Sequence, residues 1–268
     1  MSNTRLMFNM TVREMRIGLR EMQTVIVPLG VVEQHGYHLP LGTDSLHAER
    51  IAEEVSAKVG CFVAPTLHYS FSGGMLPGTI NLSPQVFSLV IMDICSSLAA
   101  QGFRNIVLLQ GHGGTECSKA VQDAADMFLR LRTETNGVTV AVVPFWELSP
   151  TFMQCFAEGD YHAGKYETSL VLHWHPELVK MDQARLDEPE MAERLRSDPN
   201  SFLSGVRLVD SQFVVPKLIQ TPEMHVGVMG DYEGASSEIG SRVAEEAVTG
   251  LAALVDQLEY RSSSDLEP

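Results

Sequence analysis

What most narrows the folds open to this chain is its alternation of short, wholly apolar segments with stretches of helical periodicity. Val25-Ile26-Val27 ends at Pro28 and Gly30, the pattern of a buried strand running into a turn. Residues 45–58 carry Leu46, Ile51, Ala52 and Val55 at helical spacing, which sets Asp44 near a helix start. Residues 61–67 read as a second strand. Ser83-Pro84 then caps and opens a helix reaching about residue 101. A third strand, 105–109 (NIVLL), a helix over 115–135 and a strand over 138–143 continue the order. Such alternation predicts an α/β fold: a mostly parallel central sheet flanked by helices on both faces, with active residues at the carboxyl ends of the strands. The 268 residues suffice for a single domain with a substantial core, spanning about 22–261.

The flanking segments are less regular. Residues 11–21 have the mixed periodicity of a short helix feeding the first strand. Residues 181–200 are charged and helix-prone, with Glu188-Pro189-Glu190 as a break, and read as a solvated surface helix with flanking loop. A glycine-rich loop over 225–237 leads to Ser236 or Ser237, either of which can cap a final helix. That helix carries Ile239, Val243, Ala247, Leu251, Leu254 and Leu258 as an apolar core stripe. Residues 262–268 read as a frayed tail.

Charge and cysteine usage exclude several function classes. Nineteen basic against thirty-four acidic residues give a formal charge of -15, which opposes nucleic-acid backbones and anionic membrane surfaces. Cys61, Cys95, Cys117 and Cys155 are scattered without a CxxC pair, so neither a zinc knuckle nor a disulfide framework is indicated and a reducing compartment fits. The amino-terminal residues lack the pattern of a signal peptide, and no apolar run approaches the roughly 20 residues a bilayer requires. A soluble, cytoplasmic protein is expected.

Chemistry-bearing residues gather where the strands end. Glu33, His35, His38 and Asp44 follow the first strand, among Gly36, Pro40 and Gly42. Glu33 and His35 are two apart, so in extended backbone both point to one side, and Asp44 offers two oxygens that can lie between two metals. After the third strand comes GHGG with His112, whose glycines allow backbone to approach a ligand. The segment 160–175 supplies His162, Glu167, His173 and His175. His162 and Glu167, on its polar side, are the candidates for catalysis; His173 and His175, among apolar residues before Pro176, are read as core or surface histidines. The loop 68–83, long and rich in Gly, Ser and Pro, is of a kind that lines sites.

Four motifs in this order resemble the creatininase (creatinine amidohydrolase) family: PLGVVEQHGYHLPLGTD, QGHGG, HAGKYETS and GVMGDYEGAS, across about residues 25–237. The resemblance implies a two-metal hydrolase, with Glu33 and His112 on one metal, His35 on the other, Asp44 bridging, and His162 as the catalytic histidine. Creatininase itself carries a metal-binding glutamate two residues after the GH histidine, where this chain has Gly114. The second metal then needs another carboxylate; Glu167 is the choice, with Glu116 behind it. Zinc suits the mixed nitrogen and oxygen ligands, as do manganese and iron. The implied reaction is cleavage of a C–N bond in a small cyclic or linear amide, with two divalent ions acidifying a shared water. Alternatives are hydrolysis of a cyclic diketone or keto-inositol, or a metal-free small-molecule-binding protein. The last is weakened by the absence of GxGxxG or GxxxxGK[ST]. The departure at Gly114 leaves the small-molecule substrate open. Pocket walls are assigned to residues 69–79, including Tyr69, Ser72 and Gly73, and to Trp146 and Trp174. The family's symmetric oligomers imply a homo-oligomer, usually a hexamer.

Overall fold

The computed structural model describes residues 4–264. The chain opens with β1 (Arg5–Leu6) and α1 (Val12–Gly18), the latter started by a capping box in which Thr11 and Glu14 each bond the other's backbone N–H. It continues through β2 (Thr24–Leu29), α2 (Thr43–Val59), β3 (Phe62–Val63), α3 (Pro84–Ala100), β4 (Asn105–Gln110), α4 (Thr115–Leu131) and β5 (Thr139–Pro144). The second half holds α5 (Gln154–Glu158), α6 (Lys165–Trp174), α7 (Pro189–Ser197), β6 (Leu203–Val206), β7 (Lys217–Gln220) and α8 (Ser237–Ser264).

The first five strands pair in parallel in the order β1-β3-β2-β4-β5. Every residue of β2 and β4 is buried, and their two-residue period divides them between two cores. Ile26, Val107 and Leu109 face one core with Ile51 and Val55 of α2, Leu170 of α6 and Leu251 of α8. Val25, Val27, Leu29, Ile106 and Leu108 face the other with Phe87 and Ile91 of α3 and Phe128 of α4. Each such side chain contributes about 1.5–3 kcal/mol by leaving water, so the sheet is held from both sides. The mostly parallel, doubly covered sheet expected from the alternation is present. β6 and β7 form a separate antiparallel hairpin.

Four details differ from the sequence reading. The second strand is only Phe62–Val63, because Pro65 has no N–H to donate; pairing resumes where Leu67 N–H donates to Pro28 O and Gly30 N–H to Leu67 O, both at 2.9 Å. α4 stops at Leu131 and gives way to a 3-10 turn at Thr133–Thr135. Pro189 opens α7 as its first residue instead of breaking a longer helix. Ser262 to Ser264 belong to α8, and the rest of the expected tail, 265–268, lies outside the described residues.

Topology fixes where a site can form. From β2 the chain steps through α2 to β3 on one side, then crosses through α3 to β4 on the other side of β2. Loops therefore part at the carboxyl ends of β2 and β4, leaving the crevice in which open α/β sheets bind their ligands.

Candidate metal centre

Both edges of that crevice carry ligand-type side chains. Glu33 and His35 follow β2, Asp44 sits in the first turn of α2, and His112 follows β4. Glu167 enters from the first turn of α6, and His162 from the backbone just before it, where it bridges to Met229. All are buried or nearly so. Asp44 stands at the middle: Oδ1 lies 3.2 Å from His35 Nε2 and Oδ2 3.0 Å from His112 Nδ1. Glu33 Oε2 is 3.3 Å from His112 Nδ1, and Glu167 Oε2 3.7 Å from His35 Nε2. Three triads result among the described residues, Glu33-Asp44-His112, His35-Asp44-Glu167 and Glu33-His35-His162, each with its ligand atoms within 4.8 Å of one another; the first two share Asp44.

Surrounding bonds orient these ligands. The carbonyl of Glu33, 3.1 Å from His35 Nδ1, accepts that N–H and leaves Nε2 facing the carboxylates. Ser72 Oγ donates to Glu33 Oε1 at 2.5 Å. Ala163 holds a left-handed backbone (φ 54°) and donates its N–H to Glu167 Oε2 at 2.6 Å. Such a conformation in a residue with a Cβ costs about 1–3 kcal/mol and is retained where it positions a functional group. His162 Nε2 lies 2.7 Å from the backbone oxygen of Gln34 and 3.1 Å from its side-chain nitrogen. With Nε2–H donated to the carbonyl, Nδ1 keeps its lone pair and faces Glu33 Oε2 at 4.0 Å.

Electrostatics explain what such a cluster wants. Three buried carboxylates repel one another and lose their water, which is tolerable only with positive charge among them. Burial alone would lower the pKa of His35, but Asp44, Glu167 and Glu33 outweigh it and push His35 up to about 10. His112 is likewise pushed up to about 10 against its burial, by Glu33 and Asp44. Asp44 is held far below the carboxylate range, its burial outweighed by His35 and His112. Burial raises Glu167. Without metal, the imidazoles thus carry the protons that compensate the carboxylates. Divalent ions do so more fully, and the donor set fits them: Glu33 Oε2, 3.3 Å from His112 Nδ1, is enclosed without a hydrogen bond. Mixed N and O donors suit zinc, manganese and iron.

The structure thus gathers Glu33, His35, Asp44, His112, His162 and Glu167 in one cluster. Glu116 lines the adjoining cavity and belongs to none of the triads. Gly114 packs against His112: a Cβ there would lie 2.5 Å from His112 Nε2, so a glutamate at 114 does not fit this arrangement. His38 is buried beside the cluster, hydrogen-bonded to Thr168. The cavity opens from the cluster with a volume of about 350 Å³. Its wall also includes Pro199, Asn200, Phe202, Gln220, Met224 and Met229, from the stretch around the β6–β7 hairpin.

Of the expected pocket walls, Ser72 and Trp146 border the cavity, whereas Tyr69, Gly73 and Trp174 do not. Along 69–74 burial alternates: Ser70, Ser72 and Gly74 are buried, while Tyr69 is exposed and Gly73 is half-buried. Trp174 lies at the far end of α6, donating Nε1–H to Glu54 at 2.6 Å and packing on the core. Gln34, between two ligand candidates, was missed as a partner of His162, although its place in EQH was a signal.

Comparison with known proteins identifies a family and several relatives. The Creatininase family profile, described as creatinine amidohydrolase, matches residues 9–255. The chain is 29% identical to creatinine amidohydrolase of Pseudomonas putida over 85% of this chain and 86% of that one. It is 30% identical to a mycofactocin precursor peptide peptidase of Mycolicibacterium smegmatis, covering 85% and 82%. It is 27% identical to a 3-dehydro-scyllo-inosose hydrolase of Thermotoga maritima, covering 93% and 80%. Among solved structures, a crystal structure of creatinine amidohydrolase superposes with a TM-score of 0.76 at 26% identity over 95% of this chain and 97% of that one. A manganese form of creatininase gives 0.76 at 25% over 95% and 98%. A zinc–zinc form of a glutamate-to-glutamine variant gives 0.75 at 25% over 94% and 97%.

Proposed function

The chain belongs to the creatininase family, and on that premise we propose that it is a two-metal hydrolase cleaving a C–N bond of a small amide with water. One observation carries the reading: Asp44 divides its two oxygens between His35 and His112 at 3.2 and 3.0 Å, with Glu167 and Glu33 completing a triad on either side. In this reading Glu33, Asp44 and His112 hold one ion, and His35, Asp44 and Glu167 the other. A bound pair of divalent ions acidifies water toward neutral pH and polarises a carbonyl. His162 takes a proton at Nδ1 as the water oxygen adds to the amide carbon, and returns it to the departing nitrogen as the C–N bond breaks. Gln34 supports that role by fixing the other side of the ring.

The whole chain, with its core over about 22–261, is proposed to act as one unit, since the cluster draws on residues from 33 to 167 and α8 closes the core beneath them. Family resemblance supports self-association, up to a hexamer. A cytoplasmic setting is supported by four free, buried cysteines. No helix among the described residues is long and apolar enough to cross a membrane.

The test is metal content and turnover together. The chelator-stripped protein is reloaded with zinc or manganese, bound ions are counted by mass spectrometry, and creatinine, short peptides and cyclic amides are assayed. Wild type should hold two ions, with occupancy reduced in His35→Ala and lost from both triads in Asp44→Ala. Wild-type protein that retains no ion, or Asp44→Ala that retains both, defeats the proposal.

A further inference from the structure

Outside the metal cluster the cavity wall carries charge of one sign only. Among the described residues that line it there are three carboxylates, Glu33, Glu167 and Glu116, and no lysine or arginine. Glu33 and Glu167 lie within the cluster, where the proposed ions would neutralise them. Glu116, in the first turn of α4, is exposed and forms no hydrogen bond or ion pair with any described residue. Its charge is therefore available to whatever enters.

The walls around it are aromatic. Trp146 packs its six-membered ring on the backbone that leads into α4, 3.6 Å from where a Cβ of Gly113 would sit. Phe156 borders the same cavity while 47% exposed, and Phe202 contributes from the opposite stretch. Ring faces carry partial negative charge and attract organic cations, more strongly when those cations shed water. An unpaired carboxylate lining the same cavity as such faces, with no lysine or arginine in the wall, is complementary to an ammonium or guanidinium group and repels an anion.

Resting on the two-metal amidase reading, we infer that the cavity selects amides carrying a positive charge at the end remote from the scissile bond, and that Glu116, with Trp146 and Phe156, reads that charge. The amide carbonyl then lies toward the cluster and the cationic group toward the mouth. Glu116 is a specificity residue with no part in bond cleavage.

The experiment uses the metal-loaded full chain and three matched probes, γ-aminobutyramide, γ-hydroxybutyramide and succinamate, which are cationic, neutral and anionic, together with longer ω-amino amides. Binding is followed by calorimetry and hydrolysis by release of ammonia. Both should rank cation over neutral over anion, and the preference should weaken as salt is added. In Glu116→Gln the cation-to-neutral ratio of kcat/KM should fall about three- to five-fold, the size set by an exposed ion pair. Glu116→Lys should turn the preference toward succinamate. If the probes bind in the predicted order and none is hydrolysed, the charge selection stands and the hydrolase reading falls. Equal uptake of all three, uptake of none, or a ratio unmoved in Glu116→Gln overturns the inference.

Discussion

Gly111, at the carboxyl end of β4, offers a direct test of how the sheet edge holds the bridging carboxylate. A Cβ at this position would lie 2.0 Å from the carbonyl oxygen of Asp44 and 3.1 Å from the Cβ of Ala48. Carbon and oxygen ordinarily approach no closer than ~3.3 Å, so in Gly111→Ala α2 and β4 must part by about an ångström. The obstructing atom is backbone and cannot rotate aside. The cost should therefore fall near the upper end of the usual overpacking range, about 3 kcal/mol. For a chain of this size that lowers Tm by roughly 6–12 °C. The displacement also falls on Asp44 itself, whose oxygens sit 3.2 and 3.0 Å from their imidazoles. The rise in Tm on adding zinc or manganese should then be much smaller than in wild type. Gly113→Ala is the matched control, because its Cβ would make only ordinary contact with Trp146 at 3.6 Å; its Tm should stay within about 2 °C of wild type. Scanning calorimetry with and without metal decides the matter. Gly111→Ala melting with wild type, and responding fully to metal, would refute the argument from close approach.

Two further outcomes can be checked. Ser72→Ala removes the hydroxyl that donates to Glu33 Oε1 at 2.5 Å, and loss of a partner that orients a ligand should weaken metal binding about 10- to 100-fold, read by competition with a chelating dye. His47, on α2, is wholly buried, and burial lowers its pKa to about 4. Its folded pKa lies below the unfolded value of about 6.5, so its stabilising contribution is complete above that pH and is lost as pH falls toward 4. Urea unfolding at a series of pH values should show wild type losing up to roughly 3 kcal/mol more than His47→Leu across this window; identical pH profiles would contradict it.

The parts of the fold that could be read from the letters are those where one physical demand dominates. β2 and β4 are buried on both faces, so they appear as unbroken apolar runs whatever surrounds them. The two short strands of the hairpin, LSGV and KLIQ, are partly exposed and stand ten residues apart, so neither run length nor alternation betrays them. β1 has only two residues and earns its place by pairing with β3. At the site, Glu33 and His35 were legible because extended backbone fixes which way neighbours point. Glu167 was reachable only through the gap left at Gly114, since no local pattern says that the first turn of α6 comes back to the end of β2. Tyr69 and Trp174 were misplaced for one shared reason: a loop or helix near a site shows it a single face, and single residues cannot say which.

The cavity is lined from different parts of the chain. Residues up to Glu167 hold the ion-binding cluster, while another part of the wall arrives with 199–229. Substitutions in the later stretch can accumulate without unloading the ions, so descendants of one ancestor are free to diverge in diet while keeping a common reaction. Transplanting 199–229 from a relative should alter which substrate shapes are accepted, leave the preference for charge with Glu116, Trp146 and Phe156, and keep metal stoichiometry as it was.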